Sequence, residues 1–175
     1  GVTVTIGDAG QERTIRADYV VGCEGGASFT RKKLGIGFPG TTRAQRGVVI
    51  DVANDPLGTP HAVFGGDPSR AYATLSLPHG IRRWEFSLME DESDELVDSD
   101  EFLDKLLKDH VDDPASLDII RRRVYAHHAR VAESFRKDRV LLAGDAAHVM
   151  PVVAGQGWNS CIRDAMNLGW KLHAV

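Results

Sequence analysis

Val140-Leu141-Leu142-Ala143-Gly144-Asp145-Ala146-Ala147-His148-Val149-Met150-Pro151, with Gly155-Gln156-Gly157 close behind, is the stretch on which the fold turns. Its apolar opening, Val140 to Ala143, has the brevity of a buried strand and ends in glycine and a carboxylate. In open α/β sheets ligands bind beyond the carboxyl ends of strands, because the chain turns there and backbone groups become available. The same sequence of events occurs earlier, where Tyr19-Val20-Val21-Gly22 runs into Cys23-Glu24-Gly25. A turn with an acidic helix cap explains either one alone. Two in one chain make a ligand site an equal candidate.

At such a site glycine admits a ligand close to the backbone, and a carboxylate can accept hydrogen bonds from two vicinal hydroxyls of a ribose or ribityl chain. Downstream of Gly155-Gln156-Gly157, Asn159 or Ser160 can cap a helix on which Ser160, Arg163, Asp164, Asn167 and Lys171 recur at three- and four-residue spacing. Ile162, Ala165, Met166, Leu168, Trp170 and Leu172 fill the rest, so the helix is expected to be largely buried. A helix entered through a glycine loop points N–H groups and a partial positive charge at whatever lies in front of it, which makes an anion site. A reduced flavin, negative near N1, suits it.

Outward from these motifs the chain is β-rich. Val2 to Ile6, a turn at Gly7-Asp8-Ala9-Gly10 and Arg13 to Ala17 read as a hairpin, and Ser28 can cap a helix that Gly35 ends. Gln45 to Val52, Ala62 to Gly65, Ala71 to Leu77 and Arg82 to Leu88 are strand-like runs that suggest a mostly antiparallel sheet. Glu90 to Asp100 reads as a solvated connection, followed by a helix with Phe102, Leu103, Leu106 and Leu107 on one stripe. A short helix near Ala115 to Ile120 and a strand over Val124 to Ala129 lead back to Val140. The opening strand has no initiator methionine before it, and Trp170 to Val175 continues a helical pattern without a stop signal, so a piece of a longer protein is expected.

Composition narrows the function. With 42% apolar and 26% charged residues in 175, the chain has the make-up of a globular domain. A net charge of -4 gives no footprint for a phosphate backbone, so nucleic acid is not an expected partner. No apolar run approaches the roughly 18–20 residues of a membrane span, and the expected setting is the cytoplasm. Cys23 and Cys161 lack metal-ligand spacing and are expected as reduced thiols. Gly35-Ile36-Gly37-Phe38-Pro39-Gly40 matches the dinucleotide expression G-x-G-x-x-G, but it follows a helix and precedes none, so it reads as a loop. His127 and His128, adjacent on a strand, point to opposite faces and offer no metal site; His148 reads as a packed histidine fixing its loop, and Arg121-Arg122-Arg123 as a solvated face or helix end.

Gly144-Asp145-Ala146-Ala147-His148, Pro151, Gly155-Gln156-Gly157, Asn159, Arg163-Asp164-Ala165, Asn167-Leu168 and Trp170-Lys171-Leu172 together resemble the second flavin motif of the group A flavoprotein aromatic hydroxylases, of p-hydroxybenzoate hydroxylase-like fold. Gly22-Cys23-Glu24-Gly25 with Ser28 and Arg31 resembles that family's DG motif, though Glu24 stands where the family usually has Asp and Cys161 where it commonly has Gly. Arg82 to Phe86, Val124 to His128 and Met150-Pro151-Val152 look most like the 3-(3-hydroxyphenyl)propionate hydroxylases within it. The resemblance implies an α+β, α/β architecture: part of a three-layer FAD-binding domain at 1–40 and 131–175, and a mostly antiparallel substrate-domain sheet with a helix at 41–130. It implies NAD(P)H- and O2-dependent hydroxylation of a phenolic aromatic acid through a flavin C4a-hydroperoxide. A halogenase or prenyl-lipid reductase of the same fold, or a non-catalytic fragment, are the rival readings.

Carried over by residue, the resemblance places Asp145 on a hydroxyl of the ribityl chain or neighbouring sugar, with Gly144 and Ala146 in the same turn. Pro151, Gly155, Gln156, Gly157, Trp158 and Asn159 would lie along the isoalloxazine, and Glu24, Gly25 and Arg31 by the pyrophosphate and nicotinamide route. Trp84 and Phe86 share a strand face and are candidates for reaching the aromatic substrate, with core packing the alternative. No acid or base is readable, because the cofactor carries the hard chemistry. No metal is expected, and self-association is left open. Without the βαβ unit that would hold the ADP half, the chain by itself is expected to bind FAD weakly or not at all.

Overall fold

The two short buried strands expected from the quoted motifs lie side by side. In the computed structural model, which describes residues 1–8, 10–153 and 155–175, the elements run β1 (Val2–Asp8), β2 (Gln11–Ala17), β3 (Val20–Gly22), α1 (Phe29–Lys33), β4 (Gly40–Val52), β5 (Val63–Gly66), β6 (Ala71–Leu77), β7 (Ile81–Ser87), α2 (Asp94–Val97), α3 (Asp100–Leu107), β8 (Ile119–Val131), β9 (Arg136–Lys137), β10 (Val140–Leu142), β11 (His148–Val149) and α4 (Gln156–His173). The chain divides into two units, 1–42 with 128–175 and 43–127.

In the first unit, β10 pairs parallel to β3, Val140 opposite Val20 and Leu142 opposite Gly22, and antiparallel to β9. Residues 120 apart in sequence thus place their carboxyl ends together. The β1–β2 hairpin pairs from Val2↔Ala17 inward; Ala9, in its expected turn, lies outside the described residues. Ser28 caps α1 as expected, its hydroxyl accepting from the Arg31 N–H at 3.0 Å. The loop 35–39 carries no helix, in keeping with the rejection of the dinucleotide expression. Ala132, Leu142 and Ala147, with Ile36 and Phe38 against them, form this unit's small core.

Helix α4 departs from expectation at two points. It begins at Gln156, with Gly155 as N-cap at φ 68°, a left-handed conformation that glycine adopts without a Cβ clash, so Asn159 lies inside the first turn. None of its described residues is buried, and Trp158, Ile162, Met166 and Trp170, four apart, form an exposed apolar stripe. The expected burial came from composition; periodicity gives the stripe but not what covers it.

In the second unit β5, β6, β7 and β4 follow one another through antiparallel pairings, with β8 on the far side of β4. One face carries Val48, Ile50, Val52, Trp84 and Phe86, covered by Val97 of α2 and Phe102, Leu103, Leu106 and Leu107 of α3. Ser93 and Ser99 cap the two helices, and Asp94, Glu95, Asp100 and Glu101 suit their positive ends. The acidic stretch is therefore not a plain solvated connection. Val97 is in the core, and Glu92, buried, receives both guanidinium nitrogens of Arg70. The expected helix near 115–120 is a single 3-10 turn at Pro114–Ser116, because β8 starts at Ile119 and claims the rest. Arg121-Arg122-Arg123 accordingly sits on a strand, and Arg122 donates to the Asp98 carbonyl (2.6 Å) and Asp100 (3.1 Å), pinning the α2–α3 junction.

Trp84 and Phe86 belong to the core. Trp84 is 0% exposed, while Phe86 shows only a ring edge to a side cleft that it lines with Tyr72, His110 and others. The pleat turns both toward α3, among the core side chains of this unit. Two side chains along, the same face buries Arg82, whose Nε and Nη2 hold Asp55 at 2.9 and 2.7 Å. That fork keeps the Asp55 carboxyl below the usual range.

Candidate cofactor site

Beyond the carboxyl ends of β3 and β10 lies a cleft of about 640 Å3 within the first unit. Cys23 and Gly25 border it from β3, Ala143, Gly144 and Asp145 from β10, the segment Val149 to Val153 along one side, and Gly155 to Trp158 with Cys161 and Ala165 from α4. Gly144 at φ 62° opens a one-turn 3-10 helix to Ala146 and turns the chain back on itself. The turn is fixed from α4. Asp164 accepts from the Gly144 N–H at 2.9 Å and lies 2.8 Å from His148 Nε2. His148 thus fixes its loop, with its ring 6.0 Å from that of Phe135.

Among the expected residues, Gly25, Gly144, Asp145, Pro151, Gly155, Gln156, Gly157 and Trp158 border this cleft together. The Asp145 carboxylate is exposed, and its side chain accepts from the Cys161 thiol at 3.3 Å. The N–H groups of the first turn of α4 have no acceptor within their own helix, and that positive end opens on the cleft beside Gly155. Burial and the neighbouring Asp145 push the Cys161 thiol up; burial, Glu24 and Asp164 do the same to Cys23.

The other four expected residues make contacts within the protein. Arg31 is 4% exposed; Nη1 donates to the Ala146 carbonyl at 2.8 Å, Nη2 to the Gly26 carbonyl at 2.7 Å, and the guanidinium stacks 3.7 Å from the Phe38 ring centre. It cross-ties the two motif loops. Ala146 is fully buried beneath the turn. Glu24 caps α1: Oε2 accepts from Ser28 and Oε1 from the Thr30 N–H at 3.0 Å and the Thr30 hydroxyl. Burial raises its carboxyl, but these donors outweigh that and hold it below the usual range. Asn159 folds back on the Gly155 carbonyl at 3.2 Å.

Sequence reasoning did not single out Cys23, Met150 and Cys161 as cleft residues, or Asp164 as the anchor of the turn. A carboxylate one turn beyond Cys161, on the polar stripe of α4, was the available signal for Asp164. Elsewhere, His128 Nδ1 meets the Thr42 hydroxyl at 2.9 Å while the His127 ring packs on Tyr125, as opposite faces of β8 require. Among the described residues no three His, Cys, Asp or Glu side chains converge to hold a metal, and no helix is long and apolar enough to cross a membrane.

Comparison with known proteins accords with this geometry. The 3-(3-hydroxy-phenyl)propionate/3-hydroxycinnamic acid hydroxylase of Mycolicibacterium smegmatis is 57% identical over the whole chain, and its Paraburkholderia xenovorans counterpart 53%. The chain spans 31% and 28% of those relatives' lengths. Among solved structures, a ternary complex of aklavinone-11 hydroxylase with FAD and aklavinone superposes with TM-score 0.84 at 29% identity, covering 99% of this chain and 34% of that one. The p-nitrophenol 4-monooxygenase of Pseudomonas putida gives 0.80 at 28% identity, covering 95% and 43%. The fold is that of the FAD-binding aromatic hydroxylases. A family model described as an FAD binding domain matches residues 1–175, and the chain belongs to that family.

Proposed function

We propose that the chain supplies the flavin-side core of an FAD-dependent aromatic monooxygenase that hydroxylates a phenolic acid of the hydroxyphenylpropionate or hydroxycinnamate type, using NAD(P)H and O2 in the cytoplasm. One observation carries the cofactor assignment. A single cleft joins an exposed carboxylate on a glycine turn, Asp145, to the positive end of α4 at Gly155 to Trp158. Its volume of about 640 Å3 falls in the ~300–1,000 Å3 range of small-molecule sites. The residues fit the group: polyol hydroxyls need an acceptor, and an electron-rich ring system needs positive potential without a counter-ion.

The chemistry FAD supplies when bound is acceptance of hydride from a nicotinamide and activation of O2 for transfer of one oxygen atom to an electron-rich ring. The chain's residues provide position and field. With FAD bound, Asp145 would accept from its hydroxyls, the first-turn amides of α4 would favour negative charge on the ring system, and Pro151 and Trp158 would lend the cleft apolar walls. Arg31, through the Ala146 and Gly26 carbonyls, and Asp164, through Gly144, hold the two motif loops where these contacts are made. The phenolic-acid class rests on the 53–57% identity to hydroxylases named for those substrates.

The test is to express the protein from its complete reading frame. It should purify yellow, oxidise NAD(P)H faster when 3-(3-hydroxyphenyl)propionate is added, and yield a product heavier by one oxygen atom. A colourless protein, or NAD(P)H oxidation indifferent to the phenol, overturns the reading.

A further inference from the structure

Asp145 stands exposed on a short turn, and the donor the structure gives its carboxylate is unusual. Cys161, one turn and a half into α4, lines the same cleft and points Sγ at Asp145 Oδ1 from 3.3 Å. The approach is built by the turn. Gly144, in its left-handed conformation, passes so close that a Cβ there would lie 3.4 Å from Sγ. We propose that Cys161 is a positioning residue for the cofactor, its thiol holding the Asp145 carboxylate in the rotamer that receives the hydroxyls of FAD. This rests on the FAD assignment above.

A free aspartate on a turn samples about three χ1 wells. Confining it to one before the ligand arrives is worth up to about threefold in affinity, since the ordering no longer accompanies binding. The S–H group is a weak donor, so fixing the carboxylate takes little of its accepting capacity. The device is also sensitive to protonation. The groups facing the thiol are Asp145 on the turn and Asp164 on its own helix, with His148 bound to Asp164 and Cys23 across the cleft. Both carboxylates disfavour a thiolate, as does burial, so the thiol stays protonated through neutral pH. In alkali a thiolate beside Asp145 would repel the carboxylate it had held.

The experiment uses the protein from its complete reading frame, stripped of flavin and titrated with FAD by fluorescence quenching. Cys161→Ala should weaken FAD binding by up to about threefold at pH 7.5, and Cys161→Ser, which keeps a donor, should stay within about 1.5-fold of wild type. Above about pH 9, as the raised thiol ionises, wild type should lose affinity by a further factor that both variants lack. In Asp145→Ala the Cys161→Ala effect should vanish, as a double-mutant cycle requires of a residue acting through Asp145. A readout free of FAD is iodoacetamide alkylation of Cys161 in a Cys23→Ser background at pH 8.5, expected to run at least threefold faster with Asp145→Asn. If wild type binds FAD but the Cys161→Ala effect persists in Asp145→Ala, or alkylation is unchanged in Asp145→Asn, the positioning role is wrong and the cofactor assignment stands. If wild type binds no FAD, both fall.

Discussion

Replacing Arg31 by Met separates a cross-tie from a ligand contact. The guanidinium donates to the Ala146 carbonyl at 2.8 Å and the Gly26 carbonyl at 2.7 Å, and stacks on Phe38 at 3.7 Å. Hydrogen bonds to a charged group are worth about 1.5–3 kcal/mol each. The Ala146 carbonyl is buried and has no ready replacement, whereas the Gly26 bond is only partly buried, so the low end applies there. The stacking adds about 0.5–1 kcal/mol. Met restores some packing of the stem and removes the cost of burying a charge, which brings the net loss to about 3 kcal/mol. With a urea dependence of about 2 kcal/mol per molar, the unfolding midpoint of the flavin-free protein should fall by about 1.5 M. Arg31→Lys should recover less than half, because one ammonium cannot fork to two carbonyls or stack in the same way. A midpoint unchanged within 0.3 M, roughly the extrapolation error, together with weakened FAD binding, would refute the cross-tie and return Arg31 to the ligand.

Other contacts give further expected outcomes. Asp164→Ala removes the acceptor of the Gly144 amide and the partner of His148, so hydrogen exchange at Gly144 should accelerate and stability drop by about 1–3 kcal/mol. Asp55→Ala leaves the 0% exposed Arg82 guanidinium without its carboxylate, at a cost of about 3–5 kcal/mol, read as a lowered thermal midpoint. Burial holds the His110 pKa below its ordinary value, with Asp109 and Asp67 opposing. The unfolded chain then binds the proton first, so stability should decline as pH falls below about 6.5 and level off beneath the folded pKa. His110→Leu should flatten that slope, while the depressed carboxyls of Asp55 and Glu92 keep stability that is lost only at lower pH.

Much of the site was legible because its signals are local. Glycine before a carboxylate after a short apolar run marks a strand end, and a glycine loop before an apolar-periodic segment marks a helix start; Gly144-Asp145 and Gly155-Gln156-Gly157 do border one cleft. What escaped depends on contacts distant in sequence. Arg31 and Glu24 look like charged ligand groups in a linear motif, yet one finds carbonyls 115 and 5 residues away and the other caps its own helix. Likewise alternation put Trp84 and Phe86 on one face of β7, but only the packing of α3 decided that this face is the interior.

By itself the sequence determined the element types, the β-rich middle, the pairing of a glycine with a carboxylate at each of two strand ends, and, through motif resemblance, the flavin family. These follow from backbone rules operating over a few residues: period, capping and the left-handed freedom of glycine. The tertiary structure decided which charges face the cleft and which are consumed inside the protein. It brought Cys161 to Asp145 and Asp164 to Gly144 across 16 and 20 residues, and left the apolar stripe of α4 exposed. The reason is physical: a polar side chain's role is set by the nearest complementary group in space, and linear spacing does not specify that neighbour beyond a turn or two of helix.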